Sequence, residues 1–450
     1  MKDVVIVGGG LAGLSSGWKL RHLDCLVLES EDRIGGRIMS ERRGPHWLNW
    51  GGHVFSSGDS WTSKLLAETG VQSMSVPGSL AGLSMNGKLI IRGRVETYPF
   101  RVPMSNASRL QIMRAGAKVR LAVMKYSRMV EKRVGETDAQ RQQRIYEFMN
   151  DDTFAHFIGN ITDDARALFE PTVTRSTGEM HEISSGSGIG YFNLIWNLGA
   201  GLSHSILGGP STLTQALADG LGDRVQTGAR VLEVVEGKDS VTVRYSQDGA
   251  EHEVQARAVV MATTADVTHK VAVNLDADVR EALSLIKYGT HVAGAFLTNE
   301  TERQIWDDSY AIATPKRSMA VVLNQSSVVR GTETERQPGT SMMAFSPASL
   351  GTKLLDKSDD EIREIYMRDL DQVLPKFTNH VVEFRPQRWP VGSPYCFPGR
   401  AKIQPVLTQP RGRVFLAGDY LGTLYTETSI QTGITAANNA MNVLDQDNKN

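Results

Sequence analysis

Cysteine is nearly absent from this chain: only Cys25 and Cys396 occur among 450 residues. Two cysteines so far apart build neither a disulfide framework nor a metal-ligand cluster, and they suit a reducing, cytoplasmic compartment. No apolar run approaches the roughly 18 residues that a membrane-spanning helix needs. Because Met1 leads directly into an apolar strand, without the charged and apolar regions of a secretory signal, we expect no such signal.

An excess of charge of either sign is also lacking. The 49 basic and 50 acidic residues leave a formal net charge of −1, so no global field favours nucleic acid. With 450 residues, of which 40% are hydrophobic, the chain is long enough for two or three domains with sizeable cores. These properties predict an ordinary globular protein without a metal site.

The amino-terminal segment has the pattern of a dinucleotide-binding turn. Val4–Val7 is predicted to be a buried parallel strand, and a helix is predicted to begin near Leu11. The glycines of the turn are Gly8, Gly10 and Gly13. The first permits a tight turn, the second lets a pyrophosphate approach the backbone, and the third lets the helix pack on the sheet. The helix amino terminus at Leu11 and Ala12 would then meet the pyrophosphate.

A second apolar strand, Cys25–Leu28, ends at an acid, Glu29, which follows Gly8 by 21 positions. An acid at a spacing of roughly 20 residues bonds to a ribose hydroxyl. It also disfavours a 2′-phosphate, so an unphosphorylated adenosine ribose is predicted. By itself the glycine pattern leaves a nicotinamide site, a flavin site and a chance match open.

The residues that follow Glu29 narrow these alternatives. Residues 29–37 follow the pattern E-x-x-x-R-x-G-G-R, which resembles the second signature of the flavin amine oxidase and protoporphyrinogen oxidase superfamily. In that superfamily the glycines and arginines run past the FAD diphosphate. The resemblance implies an FAD enzyme, with contacts from Glu29, Ser30, Arg33, Gly36 and Arg37.

The carboxyl-terminal segment supports the same resemblance. Val414–Ala417 is predicted to be a buried strand, and a helical stretch is predicted to begin near Thr428. In the superfamily the acid after this strand binds the ribityl or diphosphate part of FAD. In the superfamily, the backbone at the start of the helix that follows contacts the isoalloxazine carbonyl. The positive end of a helix dipole stabilises negative charge there. The resemblance therefore implies flavin contacts from Gly418, Asp419, Ser429 and Ile430.

Two further parts of the FAD site follow from the resemblance. The residue at the position of Val231 faces the adenine in the superfamily, although Val231 also reads as a plain strand residue. The loop after Asn49 lies beside the flavin ring, where its glycines allow close backbone approach. This loop implies contacts from Gly51, Gly52 and His53, and His53 also reads as an ordinary loop histidine.

Three separated pieces of chain are predicted to form one cofactor domain: residues 1–80, 206–265 and 401–450. Within the middle piece we expect a helix through Leu213, Leu217 and Leu221, and a β segment from Ala229 to Thr263 with a hairpin at Asp248 and Gly249. Residues 81–205 and 266–400 are predicted to form the substrate domain. The expected fold is α/β, with a Rossmann-like FAD-binding domain built from three chain segments and an α+β substrate domain.

The substrate pieces carry weaker patterns. The first is predicted to be largely helical after Asn106. The second is predicted to contain strands and one long helix at Val292–Leu297, Ala320–Leu323 and Asp359–Val373. Four residues are pocket candidates only by rough position: Arg175, His181, Tyr191 and Phe192.

Aromatic residues are candidates for the substrate side of the flavin. Counted from Gly433, Tyr425 falls where amine oxidases of the superfamily carry one wall of an aromatic cage, and Trp389 and Tyr395 occupy the place of the opposite wall. Such a pair stacks on a flat or cationic substrate. Ordinary packing is the alternative for all three rings.

One departure from the superfamily concerns lysine. Many of its amine oxidases place a lysine, through water, near flavin N5 on a strand that resembles residues 289–294. Here Ala293 takes that position, Lys287 precedes the strand, and His291 is a substitute base or a structural histidine. The missing lysine shifts weight from a standard amine oxidase towards protoporphyrinogen oxidase-like or desaturase chemistry.

Cys396 raises the question of covalent flavin, since some relatives bind FAD through a cysteine in this region. The order and spacing of Tyr395 and Cys396 do not match that pattern, so we expect noncovalent FAD and an inert thiol.

Basic residues cluster between Arg109 and Arg133, interleaved with apolar ones. Such a helix suits contact with an anionic membrane or the guidance of an acidic substrate. The alternative, and the commoner case, is a solvated helical face.

The function predicted from the sequence is that of an FAD-dependent oxidoreductase of oxidase or desaturase type. It removes a hydride from a small organic substrate, oxidising a C–N or C–C bond, and oxygen reoxidises the flavin. The alternatives are a classical amine oxidase despite the missing lysine, a flavin isomerase or mutase without net redox change, and a flavin-binding protein without turnover. The sequence does not name the substrate.

Overall fold

Two seven-stranded sheets organise the chain. The computed structural model describes residues 1–77, 82–196 and 202–449. The predicted domain boundary between residues 80 and 81 therefore lies outside the described residues, and the proposed division into domains stays a prediction.

The first sheet takes its strands from three separated stretches of chain. Its strand Lys2–Val7 pairs in parallel with Cys25–Leu28 on one side and with Ala250–Met261 on the other. Val414–Leu416 pairs in parallel with the far side of Ala250–Met261. The remaining strands are Val225–Gln226, Arg230–Glu236 and Val241–Gln247. This parallel core confirms the predicted α/β class, and it brings the ends of the first and last cofactor strands to one edge.

Alternate residues of the first strand enter different cores, as the two-residue period of a strand requires. Val4 and Ile6 pack under three helices, and Val5 and Val7 pack on the opposite face. The three helices are Leu11–Lys19, Ser211–Leu221 and Tyr425–Asp447. The predicted hairpin is present, with left-handed φ angles of 52° at Asp248 and 79° at Gly249.

The second sheet is largely antiparallel. Its long strand Tyr288–Thr298 lies between Ser341–Pro347 and Val381–Pro394. Helix Asp359–Val373, with the bounds expected from the sequence, buries Tyr366 and Leu370 against this sheet. The other strands of the sheet are Gly82–Met85, Lys88–Ile90, Ala311–Ala313 and Val321–Asn324.

The remaining elements connect or cover these sheets. Two small sheets consist of Ser40–Arg43 with His46–Asn49, and of Phe55–Ser56, Ser73–Ser75 and Leu202–Ile206. Further helices are Trp61–Thr69, Tyr98–Arg101, Asn106–Val130, Asp138–Glu147, Phe154–Ile158, Asp163–Val173, Ser185–Trp196, Ala265–Val271, Ala277–Ser284, Ser327–Thr332, Ala348–Thr352 and Gln404–Thr408. Short 3-10 turns are Val95–Thr97, Thr174–Ser176, Gly222–Arg224, Phe377–His380, Arg400–Lys402 and Asp419–Leu421.

Candidate cofactor and substrate site

Each of the three glycines in the amino-terminal turn has a different structural role. Gly8 has a φ of +107°, which a residue with a side chain rarely adopts. A Cβ at Gly13 would lie 1.8 Å from the carbonyl oxygen of Gly8, so the helix needs glycine there to pack on the strand. A Cβ at Gly10 would meet nothing within 4 Å. Open space above Gly10 is what the approach of a diphosphate requires.

The helix that follows has an amino terminus suited to an anion. Its N-cap is Gly10, which offers no side-chain hydrogen bond to the first amides, and its first turn has no acid. The first four amides of a helix lack intrahelical partners, and they carry the positive end of the dipole. The turn at Leu11 and Ala12 therefore fits the diphosphate of FAD, as the sequence predicts.

Glu29 supports the turn itself. Its carboxylate accepts hydrogen bonds from the Gly9 amide at 2.7 Å and from the Glu31 amide at 2.8 Å. The Ser30 hydroxyl adds a third bond at 3.2 Å. Each carboxylate oxygen can accept more than one hydrogen bond, so the predicted contact with a ribose hydroxyl remains compatible with these bonds. The backbone of Glu29 also bonds to Gln226 and Ala229, next to the strand that carries the half-buried Val231.

An ion pair joins the two ends of the predicted cofactor domain. The Arg37 guanidinium donates to the Asp419 carboxylate at 2.9 Å and to the Gly392 carbonyl at 2.6 Å. Burial, the largest single influence, disfavours the charged guanidinium, but the charges of Asp419 and Tyr288 and the hydrogen bond to Asp419 together outweigh it, so the pKa of Arg37 is raised. Arg33 pairs with Glu31 at 3.0 Å. The Arg37–Asp419 pair links the second signature to the Gly-Asp motif. The sequence assigns both segments to one site.

The loop after Asn49 packs against that signature. The Gly52 amide donates to the Arg37 carbonyl at 3.0 Å, and a Cβ at Gly51 would lie 2.0 Å from the same oxygen. Contact with protein backbone therefore already requires glycine at Gly51. Gly36 has a φ of +54°, and a Cβ there would approach Gly10 to 3.3 Å.

His53 is held as a neutral imidazole. Burial lowers its pKa to about 4. Its Nδ1 lies 2.9 Å from the Gly51 carbonyl. A carbonyl only accepts hydrogen bonds, so Nδ1 carries the proton and Nε2 carries the lone pair.

The carboxyl-terminal helix begins at Tyr425 rather than near Thr428. The Thr428 hydroxyl accepts a hydrogen bond from the Leu424 amide at 3.1 Å, so Thr428 acts from inside the helix instead of capping it. The amides at the helix start are consequently those of residues 425–427. Ser429 and Ile430 lie one turn further in, and their contact with the flavin stays a prediction.

Glu427 has a role that no sequence pattern revealed. Its buried carboxylate accepts from the amides of Trp61 and Thr62, at 2.7 and 3.1 Å, and from the Thr62 hydroxyl at 2.6 Å. It thereby neutralises the amino terminus of helix Trp61–Thr69. In the sequence it looks like any acid in the first turn of its own helix, because the helix that it caps is 366 residues away.

Tyrosines meet in one cavity beside the start of this helix. The Tyr425 hydroxyl lies 2.8 Å from the Tyr191 hydroxyl, and Tyr395 lines the same cavity. Tyr425 has a φ of +21°, a strained conformation for a residue with a side chain. The described residues that line the cavity are Tyr146, Ser187, Tyr191, Ile286, Pro394, Tyr395, Cys396, Arg400, Tyr420, Gly422, Thr423 and Tyr425.

The phenols of Tyr425 and Tyr395 are neutral at physiological pH. Burial raises the pKa of Tyr425 well above its ordinary value. Burial, together with the charge of Glu182, raises the pKa of Tyr395 to about 12, and the Tyr395 hydroxyl donates to Glu182 at 3.3 Å. Burial also raises the pKa of the Cys396 thiol, which makes it a poor nucleophile.

Trp389 and His291 form a separate cluster. Their ring centroids lie 5.9 Å apart, and neither residue is among the described residues that line the tyrosine cavity. The Trp389 indole donates to the Trp50 carbonyl at 3.0 Å, and the Arg33 guanidinium lies 5.7 Å from the Trp389 ring centroid. Burial and the charge of Arg37 lower the pKa of His291 to about 3. His291 is therefore neutral, and among the described residues its Nδ1 has no hydrogen-bond partner.

The strand that lacks the expected lysine is tightly packed at that position. Ala293 is completely buried between Phe345 and Gln387 of the neighbouring strands. Lys287 lies before the strand, with its Nζ 5.1 Å from the Phe397 ring centroid. Tyr395 and Lys287 are joined through the backbone, since the Tyr395 amide donates to the Lys287 carbonyl at 3.1 Å.

Arg175 is a cation beside the tyrosines. Its guanidinium lies 6.0 Å from the Tyr191 ring centroid. Among the described residues, no carboxylate lies within 4.0 Å of it. Its charge also acts to lower the pKa values of His53 and Tyr425. Of the other rough pocket candidates, His181 is exposed, and Phe192 stacks in the helical core.

The described parts of the chain contain no group of three or more His, Cys, Asp or Glu side chains placed to hold a metal ion. None of their helices combines the length and the apolar character needed to cross a bilayer.

Comparison with known proteins adds independent findings. Residues 11–441 match the family described as flavin containing amine oxidoreductase. The chain is 21% identical to the flavin-containing amine oxidase of Oncorhynchus mykiss over 98% of the chain and 85% of the relative. The corresponding values for amine oxidase A of Sus scrofa are 22%, 99% and 86%. A shorter stretch, 16% of each chain, is 38% identical to probable flavin-containing monoamine oxidase A of Dictyostelium discoideum.

Solved structures show the same fold. Cyclohexylamine oxidase from Brevibacterium oxydans superposes with a TM-score of 0.78 over 99% of both chains, at 17% identity. Putrescine oxidase bound to putrescine superposes with a TM-score of 0.76 over 98% of this chain and 99% of that one, also at 17% identity.

Proposed function

Since this chain belongs to the flavin-containing amine oxidoreductase family, we propose that it oxidises the C–N bond of a small organic amine, with oxygen as the final electron acceptor. The chain is an FAD-dependent oxidoreductase. When bound, FAD supplies the hydride acceptor, so the protein contributes binding, orientation and exclusion of water.

The residues assigned to FAD fit its parts in order. The turn at Gly10 would hold the diphosphate, and Glu29 would hold the adenosine ribose. Asp419, oriented by Arg37 at 2.9 Å, would face the ribityl or diphosphate part. Four of the assigned positions, Gly8, Gly13, Gly36 and Gly51, are close approaches or left-handed conformations that need glycine.

The proximity of Tyr425 and Tyr395 is the observation that supports amine oxidation. The sequence assigned these residues to opposite walls of a cage, and both border one cavity of about 10 Å³. This volume has room for a single water molecule, so a substrate would lie beside the two rings rather than inside the cavity. Their phenols stay neutral, so the rings offer flat faces to a substrate without attracting a proton from it. An oriented aromatic wall holds a reacting C–H bond in a fixed position relative to the flavin.

The cations beside the cavity, Arg175 and Arg400, disfavour a substrate that is a cation when it reacts. The Glu182 carboxylate lies instead at the Tyr395 hydroxyl. Arg175 has no carboxylate within 4.0 Å among the described residues, so its positive charge opposes an ammonium group nearby. His53 is neutral and, with a pKa near 4, it is a weak base. We therefore infer that the neutral amine is the reactive form, and that an acidic substituent on the substrate is better tolerated than a second ammonium.

Carbon–carbon desaturation is the second candidate. It is favoured by one observation, the fully buried Ala293 at the position where many amine oxidases of the superfamily carry lysine. A desaturase needs no base to deprotonate an ammonium group, so the absence of lysine would not hinder desaturation.

The test is anaerobic reduction of the bound flavin by two sets of compounds. One set contains primary and secondary amines with and without a carboxylate, and the other contains cyclic dihydro compounds without an amine. Bleaching by amines alone, faster as the pH rises towards the pKa of the amine, is the expected result. Peroxide should then appear on exposure to air.

Other outcomes identify the rivals. Bleaching only by the dihydro compounds would replace amine oxidation by desaturation. Conversion of a compound to an isomer without lasting bleaching would identify a flavin isomerase or mutase. FAD that no compound reduces or turns over would indicate a binding protein.

A further inference from the structure

Helix Asn106–Val130 has two apolar faces. One face is buried in the substrate domain, where it packs on helix Ser185–Trp196 and its neighbours. The buried apolar residues of this face are Ile112, Ala115, Val119, Ala122, Val123 and Tyr126. A helix of a globular protein usually buries one apolar stripe and leaves its other side polar.

The opposite face of this helix is also apolar, but it is exposed. Its large side chains are Leu110, Met113, Leu121 and Met124, with exposed fractions of 44%, 43%, 62% and 48%. At about 100° per residue they fall within a sector of roughly 80°, on the side away from the buried face. The exposed Ala117 lies between them. Single exposed apolar residues are ordinary, whereas an aligned row on one helix indicates a contact surface.

Basic residues flank this row, and the helix contains no acid. On a helical projection Arg114, Lys118 and Lys125 lie on one side of the row, and Arg109 and Arg120 lie on the other. Among the described residues, none of these five forms an ion pair with a carboxylate. With Arg128, the helix carries six positive charges in a chain whose formal net charge is −1.

We propose that this helix lies in the surface of an anionic lipid bilayer. Its apolar row enters the boundary between headgroups and acyl chains, and its flanking cations contact the lipid phosphates. Both the row and the cations are needed to explain the surface. A nucleic acid would use the cations but leave the apolar row in water, and a second copy of the helix would bring like charges together.

The position of the helix connects this surface with the tyrosine cavity. Its buried Tyr126 packs against Gly190, where a Cβ would lie 2.8 Å from the Tyr126 hydroxyl. The next residue, Tyr191, lines the cavity. A bilayer bound to the outer face of helix Asn106–Val130 would therefore be about one helix diameter, roughly 10 Å, from the helix that carries Tyr191. Phe100, 68% exposed in a short helix that contacts the same long helix, adds a further apolar side chain.

The test is co-sedimentation of the FAD-loaded enzyme with vesicles of phosphatidylcholine alone or with 40% phosphatidylglycerol. We expect binding to the anionic vesicles that weakens with salt, and little binding to the neutral ones. The double variant Leu121→Glu/Met124→Glu should weaken binding by roughly tenfold or more, since it places charge in the apolar row. The double variant Arg114→Gln/Lys125→Gln should weaken it by roughly tenfold or more, because each cation near an anionic surface contributes about a fivefold affinity.

The matched control is Ile305→Glu, which changes an exposed apolar residue outside this helix and should bind like the parent. All variants should retain the flavin absorbance spectrum and the melting temperature, because the altered side chains are exposed. The proposal is overturned if the parent does not bind anionic vesicles, or if the apolar double variant binds as the parent does. It is also overturned if the parent is a dimer that the apolar double variant converts to a monomer, since a second copy then covers the row.

Discussion

Replacement of Tyr425 tests the proposed function. This residue has a strained backbone, is partly buried and shares a hydrogen bond with Tyr191. Tyr425→Phe removes only the 2.8 Å bond to Tyr191. A hydrogen bond between neutral groups contributes about 0.5–1.5 kcal/mol to the free energy of unfolding. The partner hydroxyl of Tyr191 borders a cavity that can admit water, so the low end of this range is expected. The ring stays in place, and flavin reduction should slow by less than about threefold.

Tyr425→Ala removes the ring as well. Truncation of a buried aromatic residue costs about 3–5 kcal/mol, and Tyr425 is only partly buried, so about 2–3 kcal/mol is expected. Without this wall the substrate can shift relative to the flavin. A misplacement of about 1 Å costs on the order of a hundredfold in rate, or about 2.7 kcal/mol of activation free energy.

The assay is anaerobic stopped-flow reduction of the flavin by a saturating amine, with FAD content measured for each variant. Tyr191→Phe is the matched control, because it removes the same hydrogen bond from the other side and should resemble Tyr425→Phe. A Tyr425→Ala variant that keeps FAD and reduces it within a factor of about two of the parent rate would refute the cage and assign Tyr425 to packing.

The other predictions concern the cofactor and the packing around it. Acid precipitation should release all flavin as FAD, and flavin in the pellet would show a covalent bond. Cys396→Ser should leave the FAD content unchanged, because the thiol is buried with a raised pKa. Glu29→Ala should weaken FAD binding by roughly 10- to 150-fold, because a charge-assisted ribose bond of about 1.5–3 kcal/mol is lost. It should also lower the melting temperature of the FAD-free protein, since the Glu29 carboxylate accepts a hydrogen bond from the Gly9 amide. Titration of FAD into Glu29→Ala with parental affinity would leave only the structural role. Gly433→Val should destabilise the protein by at least about 1–3 kcal/mol, because a Cβ at Gly433 would lie 2.2 Å from the carbonyl oxygen of Ala12; unchanged thermal unfolding would contradict this close helix contact.

The cofactor strands and their first turn are predictable because the signals are local. A run such as Val4–Val7 must be buried on both faces, and a Cβ at Gly13 would meet the carbonyl oxygen of Gly8, which is close in the sequence. The same reasoning places Cys25–Leu28 correctly to the residue. Helix Asp359–Val373 is likewise recovered, since Ser358 and Glu361 form a capping box at its start.

Helix Tyr425–Asp447 shows where local signals mislead. The sequence predicts a helix start near Thr428. In the structure the Thr428 hydroxyl bonds to the Leu424 amide, and the helix begins three residues earlier. The strained φ of Tyr425 is held by surrounding packing, which no local pattern reports.

The basic helix shows a second limit. Its sequence predicts an amphipathic helix, but both of its long faces contain apolar residues, and the sequence alone does not say which face the protein buries. Val119 and Val123 are covered by neighbouring helices, whereas Leu121 and Met124 are exposed. Only packing distinguishes a core stripe from a surface for lipid.

By itself, the sequence determined the class of this protein, the turn and strands of the predicted FAD site, and the oxidoreductase chemistry that FAD implies. Tertiary structure alone decided which distant groups meet: Arg37 with the Gly392 carbonyl across 355 residues, Tyr191 with Tyr425 across 234, and Glu427 with the helix at Trp61 across 366. The reason is physical. Strand burial and glycine conformation depend on neighbours in sequence, but these contacts depend on how two sheets and their helices pack, and packing is a property of the whole chain.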